Sequence, residues 1–450
     1  MINIEFFSLK SNKSIYISEK LHEMIDTIIK LVREGLSKVK DPRQENTTYS
    51  ISNLLNMGFA MFSLKDSSVS FFRDSYSVRA ENLSTVYGVD ELPGDTAFRS
   101  GIDQVDPLEL QAQFPVLIDF LRQQGVLRER TVLGGYIPVS IDATGHYCSS
   151  KHQCPQCLVK NHKNGKQTYY HQLLGAVMMH PDQATVFPVA CEAIVQQDGN
   201  TKNDCELNAA KRIIPQIRQA LPDEKIIAVF DALYLNGPHI KFLADEHIDM
   251  SYIIGAKGFT YLNVQIEALR KEEKLQTVTW YTKTKICRAT FSNSLILNGT
   301  HQDISTNYFE YTEIDRKTKK QTFFSNWATD IEIDAENIQE LVAVARSRWK
   351  IENETFNTLK NQGYNLEHNY GHGVQNLSTN FAVLMFLAFA TDQIAQHLDK
   401  DFQDAKEVCK SFKLLWETVR SIFYLLPTMS MNAVYRFIIK QRQVKIPALT

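Results

Sequence analysis

The sequence has no long hydrophobic run and little net charge. Its longest strongly apolar stretch, residues 381–391, is about half of the ~20 residues that a membrane-spanning helix needs. The N-terminal segment contains Glu5, where a secretory signal peptide would be apolar. We therefore expect a cytoplasmic protein that does not enter a membrane.

Cysteine is also sparse. Seven cysteines in 450 residues are an odd number at low density, which argues against a disulfide framework. One close pair, Cys154 and Cys157, leaves metal binding open. A hydrophobic share of 44% with 22% charged residues is ordinary for a globular chain, and the length suits two or three domains.

The formal net charge of −2 does not by itself suggest a nucleic-acid partner, because phosphate binding needs lysine and arginine on one surface. The charge is unevenly distributed, however. Residues 146–181 contain no aspartate or glutamate, and they hold five of the twelve histidines together with Lys151, Lys160, Lys163 and Lys166. This stretch predicts either a solvated basic face or a surface that contacts DNA.

The periodicity of apolar residues changes along the chain. Residues 18–124 carry them at helical spacing, which predicts a helical N-terminal domain. From residue 134 onward, alternating and then continuous apolar runs predict strands and helices in the order β-β-β-α-β-α-β. That order predicts an α/β fold with a mixed sheet and helices on its faces.

Two further segments follow this sheet. Four strand-like pieces within residues 277–327 predict an all-β insertion. After them, Asp334 is the expected N-cap of a long helix that reaches Asn361, with Gly363 just beyond its end. Helices are expected to fill the remainder.

Three acidic residues fall where an acid is unexpected. Asp142 ends the first strand of the predicted sheet, and Asp231 ends the buried strand. Glu352 lies on the long helix, where the period of the apolar face calls for an aliphatic side chain. A carboxylate at such a position needs a turn to cap, a cationic partner or a bound cation.

Each of these acids has an ordinary explanation when taken alone. The two aspartates could cap turns, and Arg348 lies one turn before Glu352, where the two would form an ion pair within the helix. Taken together, the three acids form an all-oxygen set of the kind that holds Mg²⁺ in a two-metal phosphoryl-transfer site.

The surroundings of these acids resemble a known family. The sequence contains, in this order, the strings SIDATG, VFDALY and RWKIENETFNTLK, with a β-rich stretch before the last. Together they resemble the DDE transposases of bacterial insertion sequences, specifically a divergent branch of the insertion-sequence-four group, over residues 134–372. The resemblance implies a ribonuclease H-like core interrupted by the all-β insertion. It matches Asp142, Asp231 and Glu352 to the catalytic, metal-binding triad.

The resemblance also implies a function. A transposase of this type cuts DNA at transposon ends and transfers the 3′-hydroxyl into target DNA, with Mg²⁺ or Mn²⁺, usually two ions, held by the triad. The implied partners are the double-stranded DNA of the ends and of the target, with a homodimer assembled on DNA. The implied location is the bacterial cytoplasm, at the nucleoid when DNA is bound. The alternatives are a ribonuclease H-like nuclease without strand transfer and a catalytically inactive DNA-binding relative.

The helix motif of the group is Tyr-x2-Arg-x3-Glu-x6-Lys, and this chain departs from it twice. Ala345 stands at the tyrosine position, and Lys360 lies one residue late. On a helix Lys360 is still within about 80° of Glu352, so Arg348 and Lys360 are expected to bind the scissile phosphate. The adjacent Trp349 is expected to pack in the core.

The predicted domain divisions follow from these assignments. They are a helical, DNA-end-binding region at 1–130, the first part of the core at 131–260, the all-β insertion at 261–330, the core helix at 331–372 and a helical C-terminal region at 373–450. The first part of the core includes a basic Cys/His-rich loop at 146–171.

That loop is a candidate zinc site. Cys154 and Cys157 form a knuckle that suits tetrahedral Zn²⁺. The further ligands expected are His162 and Cys148, with His146, His152 and His171 also available in the same loop. A reduced, metal-free pair is an equal alternative, because the usual companion CxxC is missing.

Other polar residues near these motifs receive ordinary roles. His171 is expected to be a hydrogen-bonded histidine in a strand, and His372 a residue of a surface loop. Lys163 and Lys166 are expected to bind DNA, as part of a DNA-contacting loop.

Two acids further along the chain are assigned to a helix start. Asp204 is expected to cap a helix and Glu206 to lie in its first turn, with a role near bound DNA as the alternative.

Overall fold

The computed structural model describes residues 24–44 and 47–441, and it divides into two compact units. Among the described residues, the first unit comprises those from 24 to 121, from 145 to 173 and from 355 to 441, and the second comprises 122–144 and 174–354.

Before the first strand the chain is helical, as the sequence predicts. The helices are α1 (Met24–Leu36), α2 (Ile51–Ser63), α3 (Val69–Asp74), α4 (Tyr76–Asn82), α5 (Asp95–Asp103), α6 (Pro107–Gln111), α7 (Gln113–Gln123) and α8 (Val126–Glu129), with a π-helical turn at Leu83–Tyr87. Residues 1–23 of the predicted helical domain lie outside the described residues.

The strands and the helices between them also follow the predicted order, with one additional short strand. The strands are β1 (Tyr136–Ser149), β2 (Leu158–Asn161), β3 (Gln167–Met178), β4 (Phe187–Ile194), β5 (Lys225–Phe230), β6 (Met250–Gly255), β7 (Gln276–Tyr281), β8 (Lys285–Ile296), β9 (Ser305–Asp315) and β10 (Gln321–Thr329). The helices are α9 (Lys202–Ala220), α10 (Gly237–Leu243) and α11 (Thr260–Lys271). The Asp204 side chain, the expected cap of α9, lies outside the described residues.

The sheet of the second unit is mixed, with a parallel centre. β1 pairs with β5 and β5 with β6, both in parallel, and β10 pairs antiparallel with β6. The order continues outward through β9, β8 and β7, while β3 flanks the other side of β1 and β4 pairs with β3. The four strands of the expected all-β insertion therefore extend the core sheet, and α11 precedes them. This architecture confirms the predicted α/β fold class.

β5 lies in the interior of this sheet, with a neighbouring strand on each side. Its residues 226–230 are at most 1% exposed. Burial on both faces explains why the sequence of this strand is a continuous apolar run rather than an alternating one.

The predicted long helix is present but is not α-helical throughout. It consists of α12 (Ile338–Arg346), a 3₁₀ turn at Ser347–Trp349, a π-helical turn at Ile351–Phe356 and α13 (Asn357–Asn361). Asp334 accepts hydrogen bonds from the amides of Glu336 and Asn337, both at 2.8 Å, so it caps the turn that leads into α12. Gly363 follows the end with φ 100°, a left-handed conformation that favours glycine.

The C-terminal region is helical, as predicted. Its helices are α14 (Leu377–Leu398), α15 (Lys400–Cys409), α16 (Phe412–Leu425) and α17 (Met431–Gln441). By length and composition α14 could cross a membrane, but 78% of its apolar window is buried inside the protein, as in a core helix. Residues 442–450 lie outside the described residues.

Candidate active site

The register of the central strands brings the two predicted aspartates together. β1 and β5 are parallel neighbours, and Ser140 is aligned with Val229. Asp142 and Asp231 each lie two residues further on, so their side chains project from the same face of strands that run about 4.8 Å apart. Both acids therefore stand at the same edge of the sheet, as the sequence predicts.

Each aspartate also stabilises the backbone that follows it. Asp142 Oδ1 accepts a hydrogen bond from the amide of Ala143 at 2.8 Å. Asp231 Oδ1 accepts one from the amide of Leu233 at 2.9 Å and caps a 3₁₀ turn. Capping, the ordinary explanation for these acids, thus occupies one oxygen of each carboxylate and leaves the second oxygen for another partner.

The turn after β5 needs a glycine on the neighbouring strand. A Cβ atom added at Gly255, the last residue of β6, would lie 3.2 Å from the amide nitrogen of Ala232. That separation is tighter than a normal contact and the opposing atom is backbone. The absence of a side chain at Gly255 therefore lets the turn that begins at Asp231 pack against β6.

Arg348 joins the third acid to the first. Its Nη1 donates to Asp142 Oδ2 at 2.8 Å, and its Nη2 donates to Glu352 Oε1 at 2.7 Å. The carbonyl oxygen of Arg348 accepts a hydrogen bond from the Ser140 hydroxyl at 2.9 Å. The turn that carries Arg348 is thus attached to β1, and one guanidinium bridges two of the three predicted acids.

The predicted burial of two residues on this segment is wrong. The Glu352 side chain is 50% exposed rather than part of the apolar stripe, and Trp349 is 55% exposed rather than packed in the core. A period of 3.6 residues does not apply here, because the 3₁₀ and π-helical turns change the rotation per residue.

The electrostatics of the site reflect an excess of negative charge. Burial raises the pKa of Asp142 to about 6 against the opposing charge of Arg348, and the charges of Glu352 and Asp231 add to the rise. Burial lowers the pKa of Arg348, but its bonds to Glu352 and Asp142 outweigh burial and the net shift is upward. One guanidinium therefore does not fully offset the cost of burying Asp142 beside two other acids.

A fourth acid, Glu206, also faces this charge. Its residue on α9 is 7% exposed, and the Tyr234 hydroxyl donates to its Oε1 at 3.2 Å. Burial raises the pKa of Glu206, and the charges of Asp231 and Asp142 raise it further. The sequence suggested a first-turn acid, with a role near bound DNA as the alternative, because nothing local indicates that Tyr234, three residues after Asp231, reaches back to α9.

The predicted phosphate-binding lysines lie in the first unit. Lys360 forms an ion pair with Glu367 at 2.7 Å. Lys163 and Lys166 are exposed in the turn of a hairpin formed by β2 and β3, here called the basic hairpin, residues 158–170. Their contacts with DNA stay predictions.

The cysteine pair belongs to a four-residue cluster. Cys154, Cys157, His171 and His372 offer ligand atoms that all lie within 4.8 Å of one another. His171 comes from β3, and His372 comes from the loop before α14. His372 was expected in a surface loop, and no local pattern around it indicates that it returns to the cysteines.

The predicted third and fourth ligands are not part of this cluster. The ring of His162 is exposed and is 2.7 Å from the Thr168 hydroxyl, and Cys148 is exposed. Cys148 lies on β1 and His162 lies in the turn just after β2, and the spacing of the loop could not reveal in which direction either side chain points. His146 is buried, and its ring stacks on that of His171 with centroids 5.9 Å apart.

Comparison with known proteins gives one family match. The family model for the transposase DDE domain matches residues 134–390. No curated protein matches the sequence. A solved structure of piggyBac transposase in a synaptic complex with hairpin DNA is similar with a TM-score of 0.40 and 12% identity, over 95% of this chain and 80% of that one.

The match to the family model includes β1, β5 and the segment of Arg348 and Glu352, and it spans more than half of the chain. The predicted resemblance to DDE transposases is therefore confirmed, and the narrower insertion-sequence group stays a prediction. The chain belongs to the family of transposases with a DDE domain.

Proposed function

We propose that this protein is an active DNA transposase, which cuts the ends of its transposon and joins the resulting 3′-hydroxyl to target DNA. The observation that carries this proposal is the bridge from Arg348 to Asp142 and Glu352, with Asp231 on the neighbouring strand. A transposase-family chain that had lost its chemistry would have no reason to retain so much uncompensated negative charge at one edge of the sheet.

The acids fit the divalent ions that the family implies. Asp142, Asp231 and Glu352 supply carboxylate oxygens, which Mg²⁺ and Mn²⁺ prefer. The raised pKa of Asp142 indicates a site where additional positive charge is favourable. When bound, a pair of such ions would lower the pKa of an attacking hydroxyl and offset charge on the scissile phosphate.

Arg348 is the residue with two roles in this proposal. In the free protein its guanidinium holds Asp142 and Glu352 in position. When cations take over those carboxylates, the same five-donor fork becomes available to the phosphate oxygens of DNA. Arg348 would thus position the acids in the free protein and stabilise the developing charge on the phosphate oxygens when DNA is bound.

Glu206 and Tyr234 act as positioning residues. The Tyr234 hydroxyl holds the buried Glu206 carboxyl beside the turn that Asp231 caps. Burial and the charges of Asp231 and Asp142 raise the pKa of Glu206, so its ionisation depends on the ionisation of both aspartates. It orients the Asp231 turn and adds to the field that attracts cations.

The lysines of the basic hairpin supply binding energy for DNA. Lys160, Lys163 and Lys166 are exposed, and the strands around them contain no acid. Lys360 adds a cation when Glu367 is displaced by phosphate. A homodimer assembled on double-stranded DNA would bring two transposon ends together for joining.

The substrate for testing this proposal is sought in the DNA that flanks the coding region. Short inverted repeats bounded by duplicated host sequence, if present there, provide the end sequences for duplex oligonucleotides. Joining of such ends to a plasmid distinguishes a transposase from a nuclease, which would cut the ends and leave the plasmid unmodified.

Asp231→Asn should lower Mg²⁺-dependent cleavage of these ends at least about a hundredfold, since even indirect partners of a metal site contribute 10–100-fold. DNA binding in a gel-shift assay should change little. Asp223→Asn, an exposed aspartate in the turn before β5, is the matched control and should cleave normally. Unchanged cleavage by Asp231→Asn would reject the assignment.

Asp142→Asn should stabilise the metal-free protein above about pH 6, because the carboxyl pKa is raised from 3.8 to about 6 in the fold. The ionised acid then costs about 1–3 kcal/mol, and this cost disappears as pH falls from about 6 to about 4, where the folded state takes up a proton first. Thermal unfolding from pH 4 to pH 8 measures the difference. Parallel pH profiles for the two proteins would contradict the assigned electrostatics.

Arg348→Ala should bind Mn²⁺ severalfold more tightly and yet cleave DNA more slowly. Removing the guanidinium leaves Asp142 and Glu352 without their partner, so a cation gains more from them, while the phosphate loses its donor. Calorimetric titration with Mn²⁺ and a cleavage assay report the two effects separately.

The control for that experiment is Arg346→Ala, which removes a nearby arginine that pairs with Glu313 instead. Its affinity for Mn²⁺ should equal that of the wild type. Weaker Mn²⁺ binding by Arg348→Ala would show that Arg348 supports the cation site rather than competes with it.

The pair Lys163→Ala and Lys166→Ala should weaken DNA binding uniformly across sequences. It should also reduce the slope of log affinity against log salt by about 2, since each phosphate contact contributes about 0.9. The pair Lys317→Ala and Lys319→Ala, in the exposed turn between β9 and β10, removes the same charge elsewhere and is the control. Equal effects of the two pairs would mean that the basic hairpin has no special role.

A further inference from the structure

The cluster of two cysteines and two histidines in the first unit is separate in chemistry from the acidic site. Cys154 and Cys157 lie in the turn between β1 and β2, His171 lies in β3, and His372 lies in the loop before α14. We propose that these four side chains form a closed, structural Zn²⁺ site that fastens the base of the basic hairpin to that loop.

Five of the six separations between the ligand atoms match a tetrahedron around zinc, and the sixth, from Cys154 to His372, is within 4.8 Å. Bonds of about 2.3 Å to sulfur and about 2.05 Å to nitrogen imply edges of roughly 3.8 Å between sulfurs, 3.6 Å between sulfur and nitrogen and 3.3 Å between nitrogens. The two Sγ atoms are 3.6 Å apart, and the two Nε2 atoms are 3.2 Å apart. The Sγ to Nε2 distances are 3.5 Å from Cys154 to His171 and 3.4 Å from Cys157 to both histidines.

The surrounding hydrogen bonds orient these ligands. His372 Nδ1 is 2.9 Å from the carbonyl oxygen of Gly373, so it donates there and leaves the Nε2 lone pair directed at the cluster. The amide of Cys154 donates to Cys157 Sγ at 3.3 Å, which stabilises a thiolate. Cys157 and His171 are 2% and 4% exposed, so these two ligands are shielded from water, while Cys154 and His372 are half-buried.

The identity of the donors selects the ion. Thiolate and imidazole suit Zn²⁺ and are poor ligands for Mg²⁺, which prefers oxygen. Four protein ligands complete a tetrahedral shell and leave no position for water or substrate, which is typical of a structural rather than a catalytic zinc site. Binding converts each cysteine thiol to thiolate, and its proton passes to solvent.

The site links segments that are far apart in sequence. His372 is about 200 residues from the other three ligands in the sequence. A different part of the chain binds the backbone amides that follow it. The Asp103 carboxylate accepts hydrogen bonds from the amides of Val374 and Leu377 at 2.9 and 2.8 Å. The loop of His372 is therefore fixed at the start of α14, and zinc would fasten the basic hairpin to it.

Metal analysis of the purified full-length protein tests this proposal. Protein prepared without chelators should contain one zinc per chain by mass spectrometry. Cys157→Ser and His372→Ala should lose it, because each removes a ligand. Cys148→Ser and His162→Ala should keep one zinc per chain, since these neighbours in the same segment lie outside the cluster. Zinc that is lost with Cys148 or His162, or retained without Cys157 and His372, would overturn the assigned ligands.

A measurement on the wild type alone covers the case in which variants fail to fold. Replacement of zinc by Co²⁺ should give thiolate-to-cobalt charge-transfer absorption and the intense visible bands of tetrahedral cobalt, unaffected by excess Mg²⁺. A protein without zinc that also gives no such absorption would show that the cluster holds no metal. Neither readout depends on DNA cleavage, so the zinc site and the proposed function are tested independently.

Discussion

The in-register parallel pairing of β1 with β5 is the constraint on which the candidate site depends. It places Asp142 and Asp231 on adjacent strands at one edge of the sheet, where their charges repel each other in partly buried surroundings. The guanidinium of Arg348 reduces this repulsion, because it bridges Asp142 to Glu352. The backbone of Arg348 is also hydrogen-bonded to Ser140 of β1, so its positive charge stays next to the strand that carries Asp142. The remaining excess of negative charge is what gives a divalent cation a reason to bind.

The irregular helix after the sheet also determines the geometry of this site, because it orients Arg348 and Glu352. Arg348 and Glu352 are four residues apart and would pair on any α-helix, but an ideal helix would continue the apolar stripe of α12 through them. The 3₁₀ turn at Ser347–Trp349 and the π-helical turn at Ile351–Phe356 change the rotation instead, and Glu352 becomes half exposed. Insertions of this kind are frequent at functional sites, where they turn a side chain toward a ligand. Its exposure makes Glu352 reachable for a cation and for DNA, as the proposed function requires.

These details explain which features the sequence could reveal. The strands, the aspartates at their ends and the pair formed by Arg348 and Glu352 follow from local patterns, because strand periodicity and helix spacing are local properties. The exposure of Glu352 and Trp349 does not, since it depends on a change of helical pitch that composition does not encode. Glu206 was assigned first to the start of a helix, with a role near bound DNA as the alternative, because its partner Tyr234 is on another element. In each failure the missing information is a contact between distant segments or a departure from ideal geometry.

The cysteine cluster shows the same limit and adds a reason why two cation sites can coexist in one chain. A CxxC pair is visible in any sequence, whereas His372 is about 200 residues away and only the folded loop before α14 brings it back. Zinc binds carboxylates as well as thiolates, so affinity alone would not keep it from Asp142 and Asp231. A closed shell of two thiolates and two imidazoles binds zinc far more tightly than partly exposed carboxylates do. In the proposed function the acidic site is thus left to the abundant, oxygen-preferring Mg²⁺, whose incomplete protein shell would retain room for water and phosphate.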